Sequence, residues 1–144
     1  MWSQSYSKTV KELTRDQVWQ VWIDINHWPE WQSDLESTRL EGEFLAGTFF
    51  HFRPKGGPNL RLKLVQVEPT QSFTDLTRFP LAKMYGQHEL IDKGEELEIK
   101  ITLRLVGPLG FLWRKLVVEG IARGLPEQTE RLIEQTRSTQ SLAV

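Results

Sequence analysis

The chain contains no cysteine. That excludes disulfide staples, thiolate nucleophiles and cysteine-ligated zinc. Histidine is scarce as well: His27, His51 and His88 are scattered without metal-ligand spacing. Neither sign of charge dominates. Lysine and arginine number 18 against 19 acidic residues, so the net charge is −1 and there is no basic stripe of the kind nucleic acid requires. Long apolar runs are missing too. The best candidate, 109–118, carries Arg114 and Lys115 and is far too short to cross a bilayer. Lys8 and Lys11 are followed by no secretory apolar segment. These absences predict a soluble, cytoplasmic protein with no nucleic-acid partner and no stable membrane insertion. They also leave no cofactor to expect: Gly56-Gly57 lies outside any G-x-x-x-x-G-K-[ST] phosphate loop, and no Ser-His-Asp set is visible. Oligomeric state leaves no mark in the sequence.

What is present in quantity is indole. The stretch WQVWIDINHWPEW, residues 19–31, holds four of the six tryptophans. Such rings either plug a core or wall a cavity. A chain of 144 residues buries roughly 70% of its unfolded surface, enough for one core in one domain spanning 1–144. Residues 2–10 alternate weakly and read as a first, edge strand. Thr14 and Gln17 form a capping-box signature, with Leu13 and Val18 as its staple, so a helix starts near Arg15. Pro29 suits the first turn of a second, short helix, from which Trp28 and Trp31 project. From Leu35 to Gly107 the hydrophobic period is two. Strands are predicted at 35–43, 47–54, 60–68, 72–79, 83–92 and 95–106, separated by glycine- and proline-bearing turns. The last is clearest: Leu97, Ile99, Ile101, Leu103 and Leu105 share one face, while Glu98, Lys100, Thr102 and Arg104 share the other. Beyond Gly107-Pro108 the period is helical, with a kink expected at Gly124-Leu125-Pro126 and fraying over 138–144.

A curved antiparallel sheet cannot leave its apolar face in water, and the terminal helix is the only element long enough to cover it. The predicted class is therefore α+β: about seven antiparallel strands wrapped around a long C-terminal helix, with two short helices after the first strand. At VWQVWIDINHWPEW, FTDLTRFPLAKMYGQHEL and GPLGFLWRKLVVEGIARGLPEQTERL the chain resembles the START-like helix-grip superfamily, also called SRPBCC or the polyketide cyclase/dehydrase and lipid-transport group. The resemblance spans nearly the whole chain. It implies a cavity between sheet and terminal helix, closed at one end by the short helices. It does not name a reaction, because similar chains include carriers, cyclases and co-chaperone-like modules.

Several residues carry two readings each. Trp28 and Trp31 either wall the mouth of the cavity or pack beneath it, while Trp22 reads more as core. If Phe73 and Phe79 face inward, period two carries Asp75 and Thr77 inward; in the opposite register Leu76 is the inner residue. Met84, Gly86, His88 and Leu90 share a face that reads as inner. His88 is then either a satisfied core group or, with Asp75 on a neighbouring strand, half of an acid–base pair for an enolisable ketone. Gly120 and Gly124 either admit a ligand or allow close helix–sheet contact. Phe49, Phe50 and Phe52 break alternation, so their sides stay open.

The expected function is binding of a hydrophobic or aromatic small molecule. Its walls are Trp28, Trp31, Phe50, Phe52, Met84, Leu103, Trp113, Ile121 and Leu125, with Asp75, Thr77 and His88 as orienting polar groups. The alternative is a polyketide cyclase or dehydratase using His88 and Asp75. A protein-interaction module is the third reading, and it requires an apolar patch on the outer sheet face.

Overall fold

The computed structural model describes residues 1–142. The chain opens with β1 (Trp2–Lys11) and α1 (Arg15–Ile23), followed by a 3-10 helix (Ile25–Glu30). Six further strands follow: β2 (Leu35–Leu40), β3 (Phe49–Pro54), β4 (Leu60–Glu68), β5 (Ser72–Phe79), β6 (Ala82–Asp92) and β7 (Glu96–Val106). The terminal helix has three consecutive stretches: an α turn (Gly110–Trp113), a π segment (Arg114–Val118) and a long α stretch (Glu119–Leu142).

Local chemistry sets the start of α1. Gln17 N–H donates to Thr14 Oγ1 at 3.3 Å, and Thr14 N–H donates to Gln17 Oε1 at 3.0 Å, closing the capping box reciprocally. The next turn departs from expectation. Pro29 lies inside the 3-10 helix, not at its first turn, and the helix begins at Ile25 without a side-chain cap. Its place is fixed by packing instead: Thr38 Oγ1 donates to the Ile25 carbonyl, and the Trp28 indole N–H donates to the Trp22 carbonyl at 3.1 Å.

The seven strands form one antiparallel sheet in the order β1-β7-β6-β5-β4-β3-β2. Only the β1–β7 pair is non-consecutive, so the meander is closed off by the first strand returning to the last. β1 is an edge strand, as its weak alternation predicts. The register pairs Asp75 with Gly86 and Phe73 with His88 across β5 and β6. A register shift between Leu64 and Gln66 bends β4 against β5.

The terminal helix covers the inner sheet face, and it carries a π segment that the sequence did not announce. It runs unbroken through Pro126, and the π segment comes earlier, over Arg114–Val118. The wider turn shifts the helical phase. Val118 and Ala122 are buried, whereas Leu116 is 66% exposed. Helix continues to Leu142, past the fraying predicted from 138; residues 143–144 lie outside the described residues.

The buried side chains fall into two clusters. One gathers α1, the 3-10 helix and the β2–β5 side of the sheet around Trp19, Trp22, Trp28, Phe50 and Phe73. The other joins β6 and β7 to the terminal helix through Met84, Ile101, Leu103, Val118, Ala122 and Leu125. Space is left between them.

Candidate functional site

That space is a cavity of about 320 Å³ bounded by members of both clusters. It falls within the roughly 300–1,000 Å³ span of small-molecule sites. Trp22, Trp28 and Trp31 bound it from the short helices and the turn after them, Leu35 from the start of β2, and Phe52, Leu60 and Leu62 from β3 and β4. Thr77 and Phe79 on β5, Met84 on β6, and Ile101 and Leu103 on β7 form the sheet wall. Across from the sheet, Val117, Gly120, Ile121, Gly124, Leu125 and Leu132 form the helix wall.

The tryptophans serve packing and cavity together. Trp28 and Trp31 are buried, stand edge to face at 6.5 Å, and still border the cavity. Phe50 and Phe52 meet Trp28 edge-on at 5.8 and 6.4 Å. Trp22 contacts Phe73 and His88 at 5.4 and 5.5 Å. Trp19 packs on Phe44 and Phe73 and is core alone.

Two predicted wall residues lie elsewhere. Phe50 is fully buried but does not border the cavity; it packs edge-on against Trp28, which does. Trp113 stacks on Phe79 at 4.8 Å and donates its indole N–H to the Pro80 carbonyl at 2.9 Å, which holds it outside. Phe49 faces the opposite side of β3, beneath the Arg61 guanidinium at 3.8 Å.

Asp75, Gly86 and His88 line the cavity at one locus. A Cβ placed on Gly86 would lie 2.8 Å from Asp75 Oδ1 and 3.5 Å from His88 Cε1. Asp75 faces inward and is 7% exposed. Burial pushes its carboxyl up to about 7, opposed only by a hydrogen bond from the Gly86 backbone. His88 stacks on Phe73 with centroids 4.2 Å apart. Burial lowers its imidazole to about 4, with backbone hydrogen bonding to Gly86 and Phe73 acting the other way. The ring is therefore neutral at pH 7. Its Nδ1 meets the Gly86 carbonyl at 3.1 Å, a contact in which the ring nitrogen donates, and the Phe73 backbone also engages the ring.

The sequence reading missed a polar set on the other walls. Gln128 Nε2 donates to Gln32 Oε1 at 2.8 Å, linking the terminal helix to the segment after the 3-10 helix, and Asp34 borders the same cavity. Thr129 is fully buried, lines the cavity, and its Oγ1 has no hydrogen-bond partner. Its spacing from Leu125 and Leu132, at i−4 and i+3, is the signal that places it on the inner stripe.

Architecture and cavity together meet their counterpart in a sequence-family model described as polyketide cyclase / dehydrase and lipid transport, which matches residues 1–135. The chain belongs to that family. Solved structures share the cyclase/dehydrase and lipid-transport fold at low identity. A Mesorhizobium loti protein is 14% identical with a TM-score of 0.74, covering 96% of this chain and 98% of its own. A START superfamily protein from Mycobacterium smegmatis is 13% identical with a TM-score of 0.68, covering 92% and 97%. Norcoclaurine synthase from Thalictrum flavum, solved with dopamine and hydroxybenzaldehyde, is 14% identical with a TM-score of 0.69, covering 97% and 88%. No curated protein sequence matches the chain. Membership in the polyketide cyclase/dehydrase and lipid-transport family, together with the fold, indicates a hydrophobic-ligand or cyclase-like module. Among the described residues, no helix is long and apolar enough to cross a membrane.

Proposed function

We propose that the protein binds a hydrophobic, ring-bearing small molecule between its sheet and its terminal helix. The observation that carries this reading is the seam between the two core clusters, a hollow of about 320 Å³ walled by Trp22, Trp28, Trp31, Phe52 and Phe79. Interiors are ordinarily packed to crystal density, so an aromatic-walled void of this size is a departure that a ligand would repair. Burial of apolar ligand area at about 25 cal/mol per Å² supplies affinity without special chemistry. Native mass spectrometry of freshly purified protein tests it, with an expected adduct in the small-molecule range. Tryptophan quenching by flat hydrophobic compounds is the companion measurement. A bare protein mass together with no quenching by any compound would remove the carrier reading.

One observation favours a second reading, an acid–base cyclase or dehydratase. Asp75 and His88 flank Gly86, and their environments push the carboxyl up to about 7 and the imidazole down to about 4. Titratable groups driven apart in this way suit general acid–base work. Asp75 would exchange a proton with an enolisable ketone, with the neutral His88 ring beside it. Turnover of a poly-β-ketone surrogate should fall about 10²-fold or more in Asp75→Asn. Equal turnover in the variant and the wild type would dismiss this reading.

The interaction-module reading finds no such support. Ser5 and Thr102 hydrogen-bond on the outer sheet face, and Arg104 lies over Tyr85 there. The exposed large apolar side chains Phe111, Leu112 and Leu116 belong to the first turns of the terminal helix, not to the sheet.

A further inference from the structure

The cavity is acceptor-rich and lacks basic groups. Among the described residues that line it there is no lysine and no arginine, while Asp75 and Asp34 supply two carboxylates. Two of its polar groups have accepting capacity to spare, because the His88 ring is already engaged by the Gly86 and Phe73 backbone. Asp75 is held only by one backbone N–H, from Gly86. Thr129 Oγ1, fully buried, has no partner. An anionic ligand would meet like charge here and no counter-charge. A neutral ligand suits only the protonated carboxyl, and leaves Asp75 without a counter-charge once it ionises above about 7. An ammonium group brings three donors and no acceptor, and the indole and phenyl walls favour a cation through their ring faces.

We propose that the cavity selects a protonated amine borne on an aromatic or aliphatic body, with the ammonium seated against Asp75. This rests on the carrier reading and adds the charge and donor pattern of the ligand. Binding is tied to pH in a direction that can be derived. Leu64 faces Asp75 from β4, and Gly86 with His88 from β6. His88 is neutral above about 4. The terminal helix contributes no titratable side chain to the cavity, and Asp34, in the segment before β2, is the remaining charged neighbour. Amine affinity is therefore greatest above about 7, where Asp75 is ionised, and below the amine's own value near 10.

Isothermal titration calorimetry at pH 8 with 2-(2-naphthyl)ethylamine, the matching alcohol and 2-naphthylacetate separates the cases. The amine should bind at least about tenfold tighter than the alcohol, with the carboxylate weakest. In Asp75→Asn the amine-to-alcohol ratio should fall to about one. A second readout needs no variant: in the wild type, moving from pH 8 to pH 6 should weaken the amine about tenfold while the alcohol holds steady. Equal or tighter binding of the alcohol or carboxylate to the wild type overturns the amine proposal and leaves the carrier reading intact. If none of the three probes binds, the amine proposal fails, and the native mass spectrum with the quenching panel decides the carrier reading separately.

Discussion

At Asp75 a carboxyl is held inside a largely apolar wall with one backbone donor for company. The folded protein therefore binds the Asp75 proton more tightly than the unfolded chain, whose carboxyl ionises near 3.8. Stability derived from this group is full below about 4 and is lost as pH rises through about 7, with a penalty on the order of 4 kcal/mol once ionised. His88 runs the other way. Its folded value is depressed to about 4, so its contribution is full above about 6.5 and is lost as pH falls. Urea denaturation at pH 5, 6, 7 and 8 should show little net change in the wild type, because the two dependences oppose each other over most of that span. Asp75→Asn, which keeps the shape and removes the charge, should instead gain stability as pH rises from 5, since only the His88 dependence remains. Parallel pH profiles for the two proteins would refute the assignment. The inward turn of Asp75 was only half legible in the sequence. Phe73 and Phe79 fix the period, but Leu76 is buried as well, on the opposite face, so alternation alone offered both registers. Thr129 escaped notice because a threonine on a helix beside Glu127 and Glu130 reads as part of a wet face, and burial is decided by the sheet opposite.

At the scale of elements, the two glycines of the terminal helix separate space for a ligand from close packing. A Cβ on Gly124 would meet nothing within 4 Å, and one on Gly120 only an Arg123 guanidinium nitrogen at 3.7 Å. Close helix–sheet contact therefore explains neither, and both border the cavity. Gly124→Ala should raise stability by about 0.5–1 kcal/mol through helix propensity. The same change should weaken binding of bulky ring compounds in the quenching assay, since its methyl enters the hollow. Gly107 is the opposite case. It turns the chain from β7 into the terminal helix at φ +115°, and a Cβ there would fall 2.6 Å from the Leu81 carbonyl oxygen and 2.7 Å from Ala82 Cα. Backbone atoms cannot move aside, so Gly107→Ala should cost about 2 kcal/mol or more in chemical denaturation. If Gly107→Ala were neutral, or Gly124→Ala destabilising, this account of the two ends of the helix would be wrong. Elements were the most legible level. Period two in β7 and the Thr14–Gln17 capping box follow from local chemistry, and both recur in the structure. The π segment did not announce itself, because Leu116 and Val117 fit an ordinary α stripe equally well. Nor did Trp113 show its side, because the Phe79 ring and the Pro80 carbonyl that hold it come from the distant β5–β6 turn.

Across the whole molecule, the core is two clusters held apart, and the gap has a thermodynamic signature. A hollow of about 320 Å³ is packing that the empty protein forgoes. A chain of 144 residues buries enough elsewhere to remain folded. A molecule that fills the gap binds the folded state alone, so it must stabilise that state by mass action. At one hundred times its Kd the gain is about 2.7 kcal/mol, and for a domain of this size that corresponds to a rise in Tm of about 5–10 °C. Thermal melts over a concentration series should therefore climb logarithmically with any ring compound that quenches tryptophan fluorescence, because Trp22, Trp28 and Trp31 stand in the wall it would touch. Quenching without a change in Tm would mean that the compound sits on the surface, near Trp2 or Trp113. The two core clusters would then be separated by a void that no ligand occupies, and the carrier function would have no physical basis.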